Sequence, residues 1–309
     1  MSKVLLTGAS GFIGRHCISA LTARGHEVHA VSSRCAGNAP SNNSGAIWHQ
    51  ADLLDTSQTR PLLDAVRPSH LLHLAWYAEP GKYWTSAENL RWVSASLELF
   101  RQFAECGGQR VVAAGTCAEY QWLDATYPMY REDSTPLLPA TLYGVCKHAT
   151  QSVLSSYARQ SGVSAAWGRI FSLYGPHEHP SRLAASVIRS LLQNEMAGCS
   201  EGRQIRDYLY VTDVAEAFVA ILEGALCGPV NIGSGIGIPV RHLVETIGEI
   251  TGKGKLIQFG AHPANANEPA EIVADIRQLL GTGWKPTTAL SSGLTQTIAW
   301  WEQHLSRAR

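Results

Sequence analysis

The sequence predicts an α/β protein built on a doubly wound parallel sheet, with a smaller α/β lobe interleaved in its C-terminal half. Three observations carry this. Short apolar runs alternate with helix-period segments from residue 1 to about 175, the pattern of βαβ units. A glycine-rich turn joins the first of these runs to the first helical segment. After about residue 175 the alternation loosens. At 309 residues the chain is long enough to bury a sizeable core.

In order, the candidate strands are 3–7, 27–32, 46–49, 70–75, 110–114 and 164–171. The helical stretches between them, near 12–24, 56–66, 85–105 and 142–161, suit crossover connections between parallel strands. The Pro/Ser/Asn/Gly-rich segment 36–45 reads as a surface loop. The second half predicts a helix near 182–194, a strand over 207–211, a helix over 213–224, a strand at Val230-Asn231-Ile232, and helices over 240–251 and near 291–305.

Composition narrows the function classes. Lys plus Arg and Asp plus Glu are 25 each, so no net field draws the chain to nucleic acid or to an anionic membrane. The seven cysteines (Cys17, Cys35, Cys106, Cys117, Cys146, Cys199 and Cys227) are scattered without a C-x-x-C pair, which argues against a disulfide framework or a zinc site. No metal is expected. The N-terminus opens directly into a strand-like run, and no apolar stretch reaches the roughly 18 residues of a membrane span. A cytoplasmic protein is the expectation.

Thr7-Gly8-Ala9-Ser10-Gly11-Phe12-Ile13-Gly14 lies between strand and helix, as a dinucleotide-binding turn must. Gly8 permits the tight turn, Gly11 lets backbone approach a pyrophosphate, and Gly14 lets helix and strand pack closely. Amides at the helix N-terminus favour phosphate. The second strand ends in Ser32-Ser33-Arg34 with no acid to bind an adenosine ribose. Hydroxyls and a guanidinium suit a 2′-phosphate, so NADP(H) is favoured over NAD(H). Asp52-Leu53, after the third strand, suits the adenine edge, although an exposed loop aspartate is the competing reading.

Tyr143 and Lys147 stand at i and i+4 of a helical stretch and share one face. An ammonium close by can lower a phenol from its reference pKa of about 10 by roughly one to three units. Thr116, past the fifth strand, supplies a hydroxyl able to align a substrate oxygen with that phenol.

With these motifs in this order, the sequence resembles the extended short-chain dehydrogenase/reductase family of nucleotide-sugar epimerases, dehydratases and 4-ketoreductases, built on the Rossmann sheet. The resemblance spans essentially the whole chain. It includes His73-Leu74-Ala75-Trp76, Asn89, Ala113 to Tyr120, Gly168 to Pro176, Arg206 to Val214 and Asn231 to Gly235. It implies Tyr143 as proton donor or acceptor, Lys147 as partner to the phenol and the nicotinamide ribose, and Thr116 as substrate orienter. It also implies cofactor contacts along the glycine loop and at Leu74 and Ala75, and a sugar-nucleotide substrate held in part by Arg206. A surface pair of Arg206 with Asp207 is the alternative. By analogy, residues 1–175 bind the dinucleotide and 176–309 the substrate, segments near 207–232 return to the first unit, and the helices 85–105 and 142–161 pair into a homodimer.

Departures from the family pattern narrow the reaction. Dehydratases of this kind carry Asp-Glu after the catalytic Thr, where this chain has Cys117 and Ala118, so elimination lacks its acid and base. Glu119 points elsewhere if the strand end stays extended. Epimerisation beside the ketone lacks its familiar pair unless His177 or His179 swings in. Ser172 replaces the usual asparagine before Tyr-Gly-Pro. Trp76, Tyr77, Tyr83 and Trp84 either stack on a sugar face or pack. The favoured function is NADPH-dependent reduction of a 4-keto-6-deoxy sugar nucleotide. The alternatives are an NAD-dependent 4-epimerase and a catalytically silent NADP-binding scaffold.

Overall fold

The structure, a computed structural model, describes residues 1–33, 45–122, 127–263 and 269–307. In the first half the chain runs β1 (Lys3–Thr7), α1 (Gly14–Ala23), β2 (Glu27–Ser32), β3 (Ala46–Gln50), α2 (Thr56–Val66), β4 (His70–His73), α3 (Glu88–Glu105), β5 (Arg110–Thr116), α4 (Leu142–Ser161) and β6 (Ser164–Ile170). The second half adds β7 (Ser172–Tyr174), α5 (Leu183–Leu192), β8 (Ala197–Gly198), β9 (Ile205–Tyr210), α6 (Val211–Glu223), β10 (Gly228–Ile232), β11 (Gly237–Pro239), α7 (Val240–Thr251), β12 (Ile257–Gln258), β13 (Glu271–Ile272), α8 (Arg277–Leu280) and α9 (Leu290–Arg307).

Seven parallel strands form one sheet in the order β10-β6-β5-β4-β1-β2-β3. Strand order reverses between β1 and β4, and in such sheets ligands bind at the carboxyl ends of the strands flanking that reversal. Alternation along each strand splits the core in two. Val4, Leu6, Val28, Leu72 and Val112 pack against Ile18 and Leu21 of α1 and Val214 and Phe218 of α6. Leu5, Val31, Leu71, Val111 and Ala113 pack on the other face with Leu63 of α2, Phe100 and Phe103 of α3 and Leu154 of α4. Each such fully buried aliphatic or aromatic side chain contributes on the order of 1.5–3 kcal/mol.

The expected strand over 70–75 stops at His73, although the Leu74 amide still donates to the Thr7 carbonyl at 3.3 Å. β5 runs on to Thr116, paired residue for residue with β6. In the second half, β9 lies between β11 and β13 and also pairs with β7 along its C-terminal part. A third core joins Ala185, Ile188 and Leu191 of α5 to Leu243 and Ile247 of α7 and Leu294, Ile298 and Trp301 of α9. Helix α6 and strand β10 lie with the large sheet. Strands β7, β8, β11, β12 and β13 are two or three residues long, too short to show a period in sequence. No helix among the described residues is long and apolar enough to cross a membrane.

Candidate active site

The glycine turn lies at the strand-order reversal. Gly8 has φ +67°, and a Cβ there would sit 2.8 Å from the Ala75 nitrogen and 2.9 Å from the Leu74 carbonyl carbon. Gly8 thus allows the turn and the close approach of the chain leaving β4. A Cβ on Gly14 would run into the Gly8 carbonyl oxygen, so the third glycine lets α1 begin directly against the turn. Helix α1 starts without a side-chain cap and without an acidic residue in its first turn. Half-buried Ser10, Phe12 and Ile13 and exposed Gly11 form the rim. Bare backbone, uncapped amides and no carboxylate fit a dinucleotide pyrophosphate. Gly8→Ala places a β-carbon in the left-handed region, which costs about 1–2 kcal/mol before any clash. We expect dinucleotide affinity, followed by calorimetry, to fall at least about tenfold.

Arg15 was not anticipated from sequence, although a guanidinium directly after the third glycine was the available signal. Its Nη2 donates to the Ser10 carbonyl at 2.8 Å and its Nε to the Gly11 carbonyl at 3.2 Å, while Nη1 lies 2.8 Å from His177 Nδ1. It braces the turn and ties it to the loop after β7. At the far rim, Ser33 is exposed just beyond β2, and Arg34 lies outside the described residues, as does all but Gly45 of the segment 36–45. Asp52 is exposed, with its Oδ1 accepting the Leu54 amide at 3.0 Å, while the Leu53 side chain is buried in the core below.

Thr116 ends β5 and starts a single 3₁₀ turn over Cys117–Glu119, so the strand does not stay extended. The Thr116 hydroxyl accepts the Ala118 amide at 3.2 Å, and the Thr116 amide donates to Glu119 Oε1 at 2.9 Å. Glu119 also accepts from Trp167 Nε1 at 2.7 Å and, through Oε2, from Arg169 Nε at 2.9 Å, with both charged side chains fully buried. It is a structural counter-ion at the base of the site. Burial pushes the neighbouring Cys117 thiol up to about 12, and Ala118 carries no ionisable group.

The Thr141 hydroxyl caps α4 by accepting the Gly144 amide at 3.1 Å, and a Cβ on Gly144 would meet the Ala118 carbonyl. Helix α4 is thereby seated on the turn that carries Thr116. The Thr116 side chain neighbours the Tyr143 phenol and acts to lower its pKa. Its ring meets Tyr83 edge-on at 4.8 Å and Trp84 at 5.7 Å, and its amide donates to the Trp84 carbonyl at 3.1 Å. Tyr83 and Trp84 therefore clamp the phenol.

The expectation that Lys147 lowers the Tyr143 phenol does not hold in this state. Desolvation first, then Tyr83, raise the phenol above its ordinary value, against the opposing effect of the Thr116 side chain. The Lys147 amine is buried, donates to the Ala114 carbonyl at 2.8 Å and lies 3.9 Å from the centroid of the Trp76 ring. Burial lowers it to about 7, opposed by the charge of Glu119. Trp76 is oriented by Asn89, whose Oδ1 accepts from its Nε1 at 2.9 Å and whose Nδ2 donates to the carbonyls of Tyr83 and Ser86 at 2.7 and 2.8 Å. Leu74 and Ala75 lie at the rim between, with the Ala75 amide 3.3 Å from the Thr7 hydroxyl.

His177 is occupied by Arg15 and by Trp300, 4.5 Å away, and burial lowers it to about 4; exposed His179 bonds Ser181 at 2.8 Å. Ser172 sits on β7 opposite Tyr208. Arg206 is buried and donates from Nη1 to the carbonyls of Ile205 and Pro269 at 2.8 and 2.9 Å. Asp207, also buried, accepts the amides of Ser234, Gly235 and Ala274, so the surface pair is overturned.

Comparison with known proteins gives a consistent picture. Residues 4–233 match the model of the NAD dependent epimerase/dehydratase family. UDP-glucuronic acid decarboxylase 1 of Xenopus tropicalis is 27% identical over 98% of this chain and 73% of its own length. The Thermus thermophilus UDP-glucose 4-epimerase in complex with NAD superposes with a TM-score of 0.82 at 26% identity, covering 97% of this chain and 98% of the other. The UDP-glucose 4-epimerase of Thermotoga maritima, with UDP-glucose, shares the fold with a TM-score of 0.87 at 24% identity over 98% and 99% of the two chains. The switch-point glycine turn, the Thr116–Tyr143–Lys147 cluster and these likenesses converge: the chain belongs to the NAD dependent epimerase/dehydratase family and is an NAD(P)-dependent enzyme.

Proposed function

We propose that the enzyme reduces a 4-keto-6-deoxy sugar nucleotide, with NADP(H) as the preferred dinucleotide, Tyr143 as proton donor and Thr116 holding the carbonyl oxygen. The observation that carries this is the Tyr143 phenol, clamped between Tyr83 and Trp84 beside the turn that carries Thr116 and kept protonated by desolvation. Such a phenol is protonated at neutral pH, so it holds the proton that a developing alkoxide takes up and is no phenolate base for starting an oxidation. The dinucleotide, when bound, supplies the hydride. We assign Gly8, Ser10, Gly11, Phe12, Ile13, Gly14, Leu74 and Ala75 to holding it, with Ser33, Arg34, Asp52 and the backbone at Leu53 assigned to its adenosine end. The Lys147 ammonium stabilises the phenolate left behind. Trp76, Ser172 and Arg206 face the substrate side, residues 1–175 serving the cofactor and 176–309 the sugar nucleotide. Elimination is disfavoured because Glu119 is bound to Arg169 and Trp167, and neither Cys117 nor Ala118 offers a proton shuttle.

Preference for NADP(H) rests on the sequence at the carboxyl end of β2, where Ser33-Arg34 stands in place of a carboxylate. With 4-deuterated NADPH, we expect one deuterium at C4 of the product for each NADPH consumed, and weaker binding of NADPH to Arg34→Ala. NADH binding at least as tightly, with Arg34→Ala neutral, would sink the cofactor reading. The second reading, 4-epimerisation with retained NAD, is favoured by the likeness to the NAD-bearing epimerase. It predicts interconversion of two sugar nucleotides with no deuterium gained. A homodimer accompanies either reading: Leu90 on α3 and Val145 and Val153 on α4 are exposed apolar side chains. A monomer mass by light scattering at micromolar concentration would overturn it.

A further inference from the structure

The Lys147 amine is bordered by one carbonyl and two indoles: Ala114 O at 2.8 Å, the Trp76 centroid at 3.9 Å and the Trp167 centroid at 5.7 Å. The two indoles differ in how they are held. Trp167 donates its Nε1 to Glu119 and sits in the core. Trp76 is half-buried at the rim after β4, its Nε1 fixed by Asn89 and its ring 6.3 Å from that of Trp92. Asn89 is itself fully buried and bonded to two backbone carbonyls. This arrangement turns the indole face, the electron-rich side of the ring, onto the ammonium.

Resting on the reading above that Lys147 serves Tyr143, we propose that Trp76 is a positioning residue for Lys147, its Asn89-locked indole holding the buried ammonium charged and in place. Other groups around the amine do not replace it. Glu119, in the turn after β5, is shared with Arg169 of β6 and with Trp167. His73 of β4 is held neutral by burial, which lowers it to about 3, and it bonds Thr7 and Ser96. On α4 itself, burial disfavours ionisation of both Tyr143 and His148.

The sign of the effect follows. Burial lowers Lys147 to about 7, so the amine is charged below that pH and neutral above it. A cation–π contact acts only on the charged form, so removing it moves the midpoint further down. The test titrates ¹³Cε-labelled lysine by NMR in the full-length, ligand-free protein, with Lys147→Met assigning the resonance. We expect Trp76→Leu to lower the Lys147 midpoint by about one pH unit. Trp76→Phe, which keeps a smaller π face and secures the test should the leucine variant not fold, should lower it by about half as much. The alkaline limb of kcat should move with the midpoint, because the charged amine is the form that serves the reaction. A Trp76→Leu midpoint coincident with that of the wild type overturns the proposal and leaves Trp76 as packing. A displaced midpoint with an unmoved kcat limb overturns the role of Lys147 in the reaction, and the positioning role with it.

Discussion

Tyr143→Phe is expected to lower kcat by roughly 10²–10⁴-fold, the range for loss of a positioned proton donor. Dinucleotide affinity should change little. The hydroxyl is the only atom removed, and the ring stays clamped between Tyr83 and Trp84. Calorimetric titration of the variant with NADPH separates the two effects. A fall in kcat with unchanged binding supports proton donation, whereas retention of near-wild-type turnover would move the donor elsewhere. Thr116→Val should give the same kind of result to a smaller extent, because in the proposed reaction that hydroxyl aligns the substrate oxygen beside the phenol.

Glu119→Ala is expected to destabilise the fold by about 3–5 kcal/mol, since it leaves the fully buried guanidinium of Arg169 without its counter-charge. It also removes the acceptor for the Trp167 indole and the Thr116 amide. Urea unfolding measures the loss through a lower midpoint at unchanged slope. The result separates two roles that sequence alone leaves open for a carboxylate three residues past Thr116. A structural counter-ion costs stability when removed, whereas a catalytic acid costs kcat in a protein of wild-type stability. A stable, folded Glu119→Ala with collapsed activity would overturn the structural assignment.

The long elements of the Rossmann half were legible because each carries its period over several residues. Short apolar runs mark β1, β2 and β5, helical spacing marks α1 to α4, and the glycine turn fixes where the first strand hands over to the first helix. The i, i+4 spacing of Tyr143 and Lys147 put both on one face without any knowledge of the partner element. The glycines were readable too, because their roles follow from backbone geometry, and Gly8 and Gly14 meet the contacts that such a turn imposes.

Other features depended on which distant residues meet. The direction of the Tyr143 shift is one, since it is set by desolvation on burial and then by the neighbouring Tyr83, neither of which the i, i+4 spacing to Lys147 reveals. The roles of Glu119 and Arg169, 50 residues apart, are another. The burial of Arg206 and Asp207, read from sequence as a possible surface pair, depends on strands β11 and β13 closing over β9. Arg15 bracing the glycine turn from His177 spans 162 positions. By itself, then, the sequence determined the sheet, the glycine turn and where Thr116, Tyr143 and Lys147 stand on their elements, all set by local periodicity and spacing. Only the tertiary structure decided their protonation and their neighbours, because desolvation and charge pairing are properties of the packed surroundings and not of any one segment.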